Sequence, residues 1–231
     1  MNRRALLISL LVSAALPAFG QSVRYELENS LTERAKWRSL GDKNWVTNDP
    51  IERARSGRSR ITTYELEHVG GGTPVARLKS LIALAEAGPK GYNAVHVGAR
   101  IKTPKPPTQM TLGQILAWIK HTPGQPHAIG RYQFIPSTLR SLIQRAGLPA
   151  TTRFTPKIQD QLADLLLADA GLQKFLAGRM SRKRFMNNLA KIWAGLPTSS
   201  GKSYYDGYAG NRATLTRAYF DGKMREFFPK S

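Results

Sequence analysis

From Thr73 onward, apolar residues return every three or four positions, and glycine or proline breaks the returns at helix-length intervals. Val75, Leu78, Leu81, Ile82 and Ala85 form one stripe behind a Thr73 cap and a Pro74 suited to the first helical position. Gly88-Pro89 ends that helix. Leu112, Ile115, Leu116 and Ile119 predict a second helix. Pro136 opens a third, with Leu139, Leu142 and Ile143 inward and Gly147 closing it. Thr155-Pro156 opens a fourth that carries Ile158, Leu162, Leu165 and Leu166 to Gly171, followed by a short helical piece over 172–177. Ser181 caps a helix bearing Phe185, Leu189, Ile192 and Trp193, stopped by Gly195, and Asn211 is placed to cap a last one through Tyr219. Between the first two helices, GYNAVHVG (91–98) alternates and predicts a small strand or hairpin, and KTPKPPTQ (102–109) reads as a proline-rich loop. The expectation is a mainly α domain with one small β element, spanning residues 73–231, long enough for a single core.

The first third of the chain follows another pattern. Residues 1–20 carry Arg3 and Arg4, an apolar run from Ala5 to Leu16, and Ala18-Phe19-Gly20 with small residues where a signal peptidase reads. The run is short for a membrane span and Pro17 interrupts it, so a cleaved export signal is expected, with an uncleaved anchor as the alternative. Residues 21–72 are polar, mixed in charge and weakly periodic, which marks an extension or linker ending in the hinge-like Gly70-Gly71-Gly72.

Composition narrows the chemistry. There is no cysteine, so thiol catalysis and cysteine metal sites are excluded, and the core alone must hold an exported chain together. The four histidines make no helical ligand pair, so no metal and no cofactor is expected. The formal charge is +20, of which residues 73–231 carry +17. Such a charge calls for a polyanionic partner. For an exported chain the candidates are the cell envelope, phosphate-bearing polymers and lipid headgroups; export argues against nucleic acid.

Between Glu67 and Asp160 the only acidic residue is Glu86, among 12 Lys and Arg. It lies one turn after Ile82, at the border of the apolar stripe and at the negative end of the helix dipole. Partial burial and that dipole both disfavour the ionised form, so Glu86 is expected to hold its proton toward neutral pH and serve as a general acid. The bland alternative is a solvated Glu paired with Lys90 or Arg131. Glycoside hydrolysis usually takes two carboxylates, although a substrate that brings its own nucleophile needs one. Asp160, Asp164 and Asp169 read as the polar face of a later helix, and Asp206, in a loop, is the candidate second acid. In GRYQF (130–134), Gly130 permits an unusual turn and Arg131, Tyr132 and Gln133 lie in the bend, where Gln133 suits the N-acetyl and hydroxyl groups of a sugar. Tyr132 suits either a sugar face or the core. Trp193 reads as core, whereas the loop with Tyr204, Tyr205 and Tyr208 offers glycan platforms.

Taken in order, Ala85-Glu86-Ala87-Gly88, GYNAV (91–95), AIGRYQF (128–134), AGL (146–148), FTPKIQDQ (154–161) and KIWAGLP (191–197) resemble the lysozyme-like superfamily, and most closely the lytic transglycosylase endolysins of lambdoid phages. The resemblance covers roughly residues 74–210. It implies an α+β lysozyme-like fold with a small β lobe and a cleft between lobes. It implies cleavage of the N-acetylmuramic acid–N-acetylglucosamine bond of peptidoglycan, with Glu86 as the single catalytic acid and 1,6-anhydro ends as product. Gln133 would line the glycan site, joined by Tyr132, Arg131, Tyr204 and Tyr205. The basic stretch 99–127 and the extension have no counterpart in the resemblance. The expected setting is periplasmic, with peptidoglycan strands and the anionic envelope as partners and a monomeric chain. Two other readings stand beside this one: a hydrolytic muramidase using Asp206, and a non-enzymatic wall-binding or envelope-assembly module.

Overall fold

The computed structural model describes residues 72–208 and 211–230. The expectations for the signal, the extension and the first two glycines of the hinge lie outside the described residues. Seven α-helices are described: α1 (Pro74–Glu86), α2 (Leu112–His121), α3 (Pro136–Arg145), α4 (Pro156–Ala170), α5 (Leu172–Leu176), α6 (Arg182–Ile192) and α7 (Arg217–Phe227). Their starts have a common chemical cause. The first helical N–H groups lack intrahelical acceptors, and a threonine or serine hydroxyl supplies one. Thr73 accepts from Ala76, Thr155 from Ile158, Ser181 from Arg184 and Thr216 from Tyr219. Thr111 and Gln114 form a reciprocal capping box at α2.

The last helix begins later than the sequence predicts. Asn211 donates its side-chain amide to the Tyr208 carbonyl at 2.8 Å and caps nothing, whereas Thr216 caps α7 and Phe220, Met224 and Phe227 form its buried stripe. The expected β lobe is also different. Among the described residues there are isolated bridges and no strands. The chain after Glu86 winds into a 3-10 turn over Gly88–Asn93, and of the predicted strand only Val95 pairs, with Ile129. Ile129 also pairs with Phe134 across the turn 130–133, a one-rung hairpin. Gly88, Pro89 and Gly91 explain the loss of extended structure, because Gly91 sits at φ 50°, which interrupts any ladder there.

Helix α1 runs through the middle of the core, with Leu78, Leu81 and Ile82 fully buried. Its flanks are fixed by ion pairs: Lys79 to Asp164 of α4 at 3.0 Å, and Arg77 to Glu226 of α7, with the Arg77 guanidinium also 4.4 Å from the Phe227 ring centre. Arg145 grips Asp169 with two nitrogens at 2.7 and 2.8 Å and joins α3 to α4. Phe175 stacks on Phe185 at 4.5 Å, and Trp193 is buried at the end of α6, as the sequence predicts for it. The first half of α1 is thus held from both flanks, and Glu86 is its last residue.

Candidate active site

Glu86 is half-buried, and its Oε1 accepts a hydrogen bond of 2.8 Å from the backbone N–H of Gly195. This contact spans 109 residues of sequence and brings the IWAGLP segment against the end of α1. Gly195 makes the approach feasible by having no side chain. A Cβ there would lie 2.5 Å from the Ala85 carbonyl oxygen, 2.9 Å from Thr214 Oγ1 and 3.0 Å from Glu86 Oε1. Thr214 closes the joint, donating its hydroxyl to the Ala85 carbonyl at 2.9 Å. The backbone N–H of Gly195 therefore helps to position the carboxylate.

The GRYQ bend is built just as firmly, from α4. Gly130 has φ 77°, and a Cβ at that position would meet Gln159 Oε1 at 2.4 Å. Buried Gln159 accepts the Arg131 N–H at 2.8 Å and donates to the carbonyls of Tyr92 and Phe154, each at 3.0 Å. Its neighbour Asp160 accepts the Tyr132 hydroxyl at 2.5 Å and the Tyr92 hydroxyl at 3.0 Å. Asp160 is thus no part of a solvated polar face, the one correction needed among the three aspartates of α4. Two consecutive side chains of one helix join the turn that follows Glu86 to the GRYQ bend. Gly130 N–H completes the joint by donating to the Ala94 carbonyl at 2.8 Å. Burial pushes the Tyr92 hydroxyl up to about 12, with Asp160 adding to the rise and Arg131 opposing it. Burial, reinforced by the Asp160 hydrogen bond, raises Tyr132 further still.

The predicted site residues separate into two kinds. Gln133 sits at φ 46°, a conformation that non-glycine residues rarely adopt, and its amide Nε2 donates to the Gly130 carbonyl at 2.9 Å. Among the described residues nothing donates to its Oε1, which is available to a ligand N–H or O–H. Arg131 lies 4.8 Å over the Tyr92 ring and donates to Ser80 Oγ of α1 at 3.1 Å. Tyr204 is 53% exposed, with the Lys191 ammonium 5.7 Å from its ring centre. Tyr132 and Tyr205 are buried, and their hydroxyls are taken by Asp160 and by the Lys191 carbonyl, so both pack as structure rather than as open platforms. Ser203 donates to the Ala194 carbonyl at 2.7 Å, which attaches the tyrosine loop beside the segment that holds Glu86.

Sequence reasoning gives Tyr92, Gln159 and Thr214 no role, and reads Asp160 only as polar face and Gly195 only as a helix stop. The signals were present only as partners: Gly195 inside IWAGLP, and Gln159-Asp160 inside FTPKIQDQ. The candidate second acid, Asp206, is exposed and 3.6 Å from Lys202 in its own loop.

Fold and site together define a helical domain that presents one backbone-held carboxylate, with a strained glutamine-bearing bend tied to the segment that follows it. A family model described as endolysin matches residues 81–222, and the chain belongs to that family. No curated protein and no solved structure matches the chain. Membership points to an enzyme that degrades the bacterial cell wall, with peptidoglycan as its substrate.

Proposed function

We propose that the protein is a peptidoglycan lytic transglycosylase that cleaves the β-1,4 bond between N-acetylmuramic acid and N-acetylglucosamine with Glu86 as its one catalytic carboxyl group. Glu86 donates its proton to the glycosidic oxygen as the bond to C1 of muramic acid breaks. The resulting carboxylate then takes the proton of the muramic C6 hydroxyl, whose oxygen closes on C1. The product is a 1,6-anhydro ring, and no water is consumed. Gln133 Oε1 accepts a hydrogen bond from the glycan, and Tyr204 supplies an exposed ring face.

The observation that carries this reading is the hold on Glu86: the Gly195 N–H donates to its Oε1 at 2.8 Å, in a space that a Cβ at Gly195 would close, while the other described carboxylates are engaged elsewhere. Asp160 is taken by two tyrosines, Asp164 by Lys79, Asp169 by Arg145, Asp206 by Lys202, Asp221 by Arg225, and Glu226 by Arg77 and Lys223. Glu86 is aimed by the backbone N–H of Gly195, from a segment 109 residues away in sequence. An export signal at residues 1–20 would deliver such an enzyme to the periplasmic face of the wall.

The deciding experiment is mass spectrometry of the products released from purified sacculi. The reading requires 1,6-anhydro ends; reducing ends would make the enzyme a hydrolase. Glu86→Gln should fold normally by circular dichroism and release no muropeptides, a loss of at least about a thousandfold. Wild-type turnover in that variant removes Glu86 from the mechanism.

A further inference from the structure

We propose that the loop 96–105 is a membrane-contact surface that seats Val97 and Ile101 in a lipid bilayer bearing anionic headgroups. Val97 is 73% exposed and Ile101 59% exposed, the two most exposed large aliphatic side chains described. Their exposure is built in. Ile101 N–H donates to Gln125 Oε1 at 2.8 Å, while its carbonyl accepts from Gln125 Nε2 at 2.8 Å and from the Trp118 indole at 3.1 Å. Gln125 and Trp118 are both buried, so three hydrogen bonds from the core hold the Ile101 backbone with its side chain outward. The turn closed by Ala99 N–H on the His96 carbonyl, with Ala99 buried beneath it, holds the other end. Lys102 reaches back to the carbonyls of His96 and Val97, each at 3.0 Å, which brings position 102 beside Val97.

The surroundings select the partner. Lys90, Arg100, Lys102 and Lys105 are all exposed, and among the described residues none forms an ion pair with a carboxylate. No Asp or Glu occurs between Glu86 and Asp160. Thr108 bonds Asn93 Oδ1 through its backbone N–H at 3.1 Å and its hydroxyl at 2.8 Å, which fastens the turn bearing Lys90 to the proline-rich loop. Lys102 is lowered from its ordinary value by burial and by the nearby Lys90, a crowding that an anion would relieve. Two aliphatic tips on a loop whose cations have no described carboxylate partner match a surface with an apolar interior below a layer of negative headgroups. A sugar strand fits less well: the tips have no flat ring face, and the Ile101 backbone and the His96 and Val97 carbonyls are already hydrogen-bonded.

The chain has no cysteine, so Val97→Cys gives one attachment point for an environment-sensitive fluorophore on the full-length protein. With phosphatidylglycerol–phosphatidylcholine vesicles the label should shift to the blue and be quenched by lipids brominated in the acyl chain. Phosphatidylcholine alone should give neither effect. Adding Ile101→Ser to the labelled chain, with unchanged thermal unfolding, should weaken the lipid titration about fivefold or more. A label that stays in water while the protein floats with the vesicles would overturn the proposal. A label that responds to purified sacculi and not to vesicles would also overturn it, and would make the loop a wall contact.

Discussion

At the scale of single residues, the site depends on what is absent from Gly195. Its φ is ordinary, so conformational freedom is not the reason for glycine there; distance is. A methyl group would have to fit 2.5 Å from a backbone carbonyl of α1. Gly195→Ala should therefore move the IWAGLP segment away from the end of α1 and release Glu86 from its N–H donor. The expected cost is about 1–3 kcal/mol of stability, measured by denaturant unfolding, together with a fall in kcat larger than any change in KM. An alanine variant with wild-type kcat would show that the Gly195 contact does not position the carboxylate. The place of Glu86 itself was legible in the sequence, because a helical stripe, a Thr-Pro start and a Gly-Pro stop leave few alternatives for its position. Its partner was not legible, because a contact over 109 residues leaves no trace in local pattern. Gln133 was picked out by its chemistry, but its φ of 46° was not, since the sequence marks Gly130 as the flexible point of the bend.

At the scale of elements, α4 carries more of the site than its amphipathic pattern implies. Gln159 and Asp160 sit where a core face meets a polar face, and periodicity treats such border positions as surface. The same limit explains the β region: GYNAVHVG alternates like a strand, yet its glycines turn the chain before a second rung can form. Helix starts are legible at α1, α4 and α6, where Thr-Pro or Ser stands before the stripe, and misplaced at α7, where Asn211 resembles a cap but lies five residues before Thr216, the residue that caps. The Asp160 contacts have a measurable consequence. Tyr92 and Tyr132 both hold their protons more tightly in the folded state than the ordinary value of 10.0. A raised folded value means that their contribution to stability is intact below about pH 10 and is lost as pH climbs through 12 and beyond. In an absorbance titration these two phenols should ionise late, together with alkaline unfolding, and Tyr92→Phe and Tyr132→Phe should each remove one late phenol. Asp160→Ala leaves both hydroxyls without their acceptor and should cost about 2–3 kcal/mol at neutral pH. A folded wild type with no late-ionising phenol would contradict the burial of Tyr92 and Tyr132.

At the scale of the whole molecule, charge and chemistry are separable. Residues 73–231 carry +17, whereas the Gly195 N–H that aims Glu86 Oε1 is a short backbone contact that salt screens little. The charge acts through solvent over distances of a screening length, about 10 Å at 0.1 M salt and about 3 Å at 1 M. Capture of sacculi should therefore weaken about tenfold or more as salt rises across that range, because long-range attraction sets the encounter. Turnover on saturating sacculi should change much less, because the proton moves within a site held by short contacts. Glu86→Gln separates the two effects directly: its binding to sacculi should show the same salt dependence as wild type while its turnover is absent. A binding curve that is flat with salt would mean that the basic surface is not what brings the enzyme to the wall. The affinity would then have to come from the glycan contacts of Gln133 and the tyrosine loop, and Tyr204→Ala would lower it at every salt concentration alike.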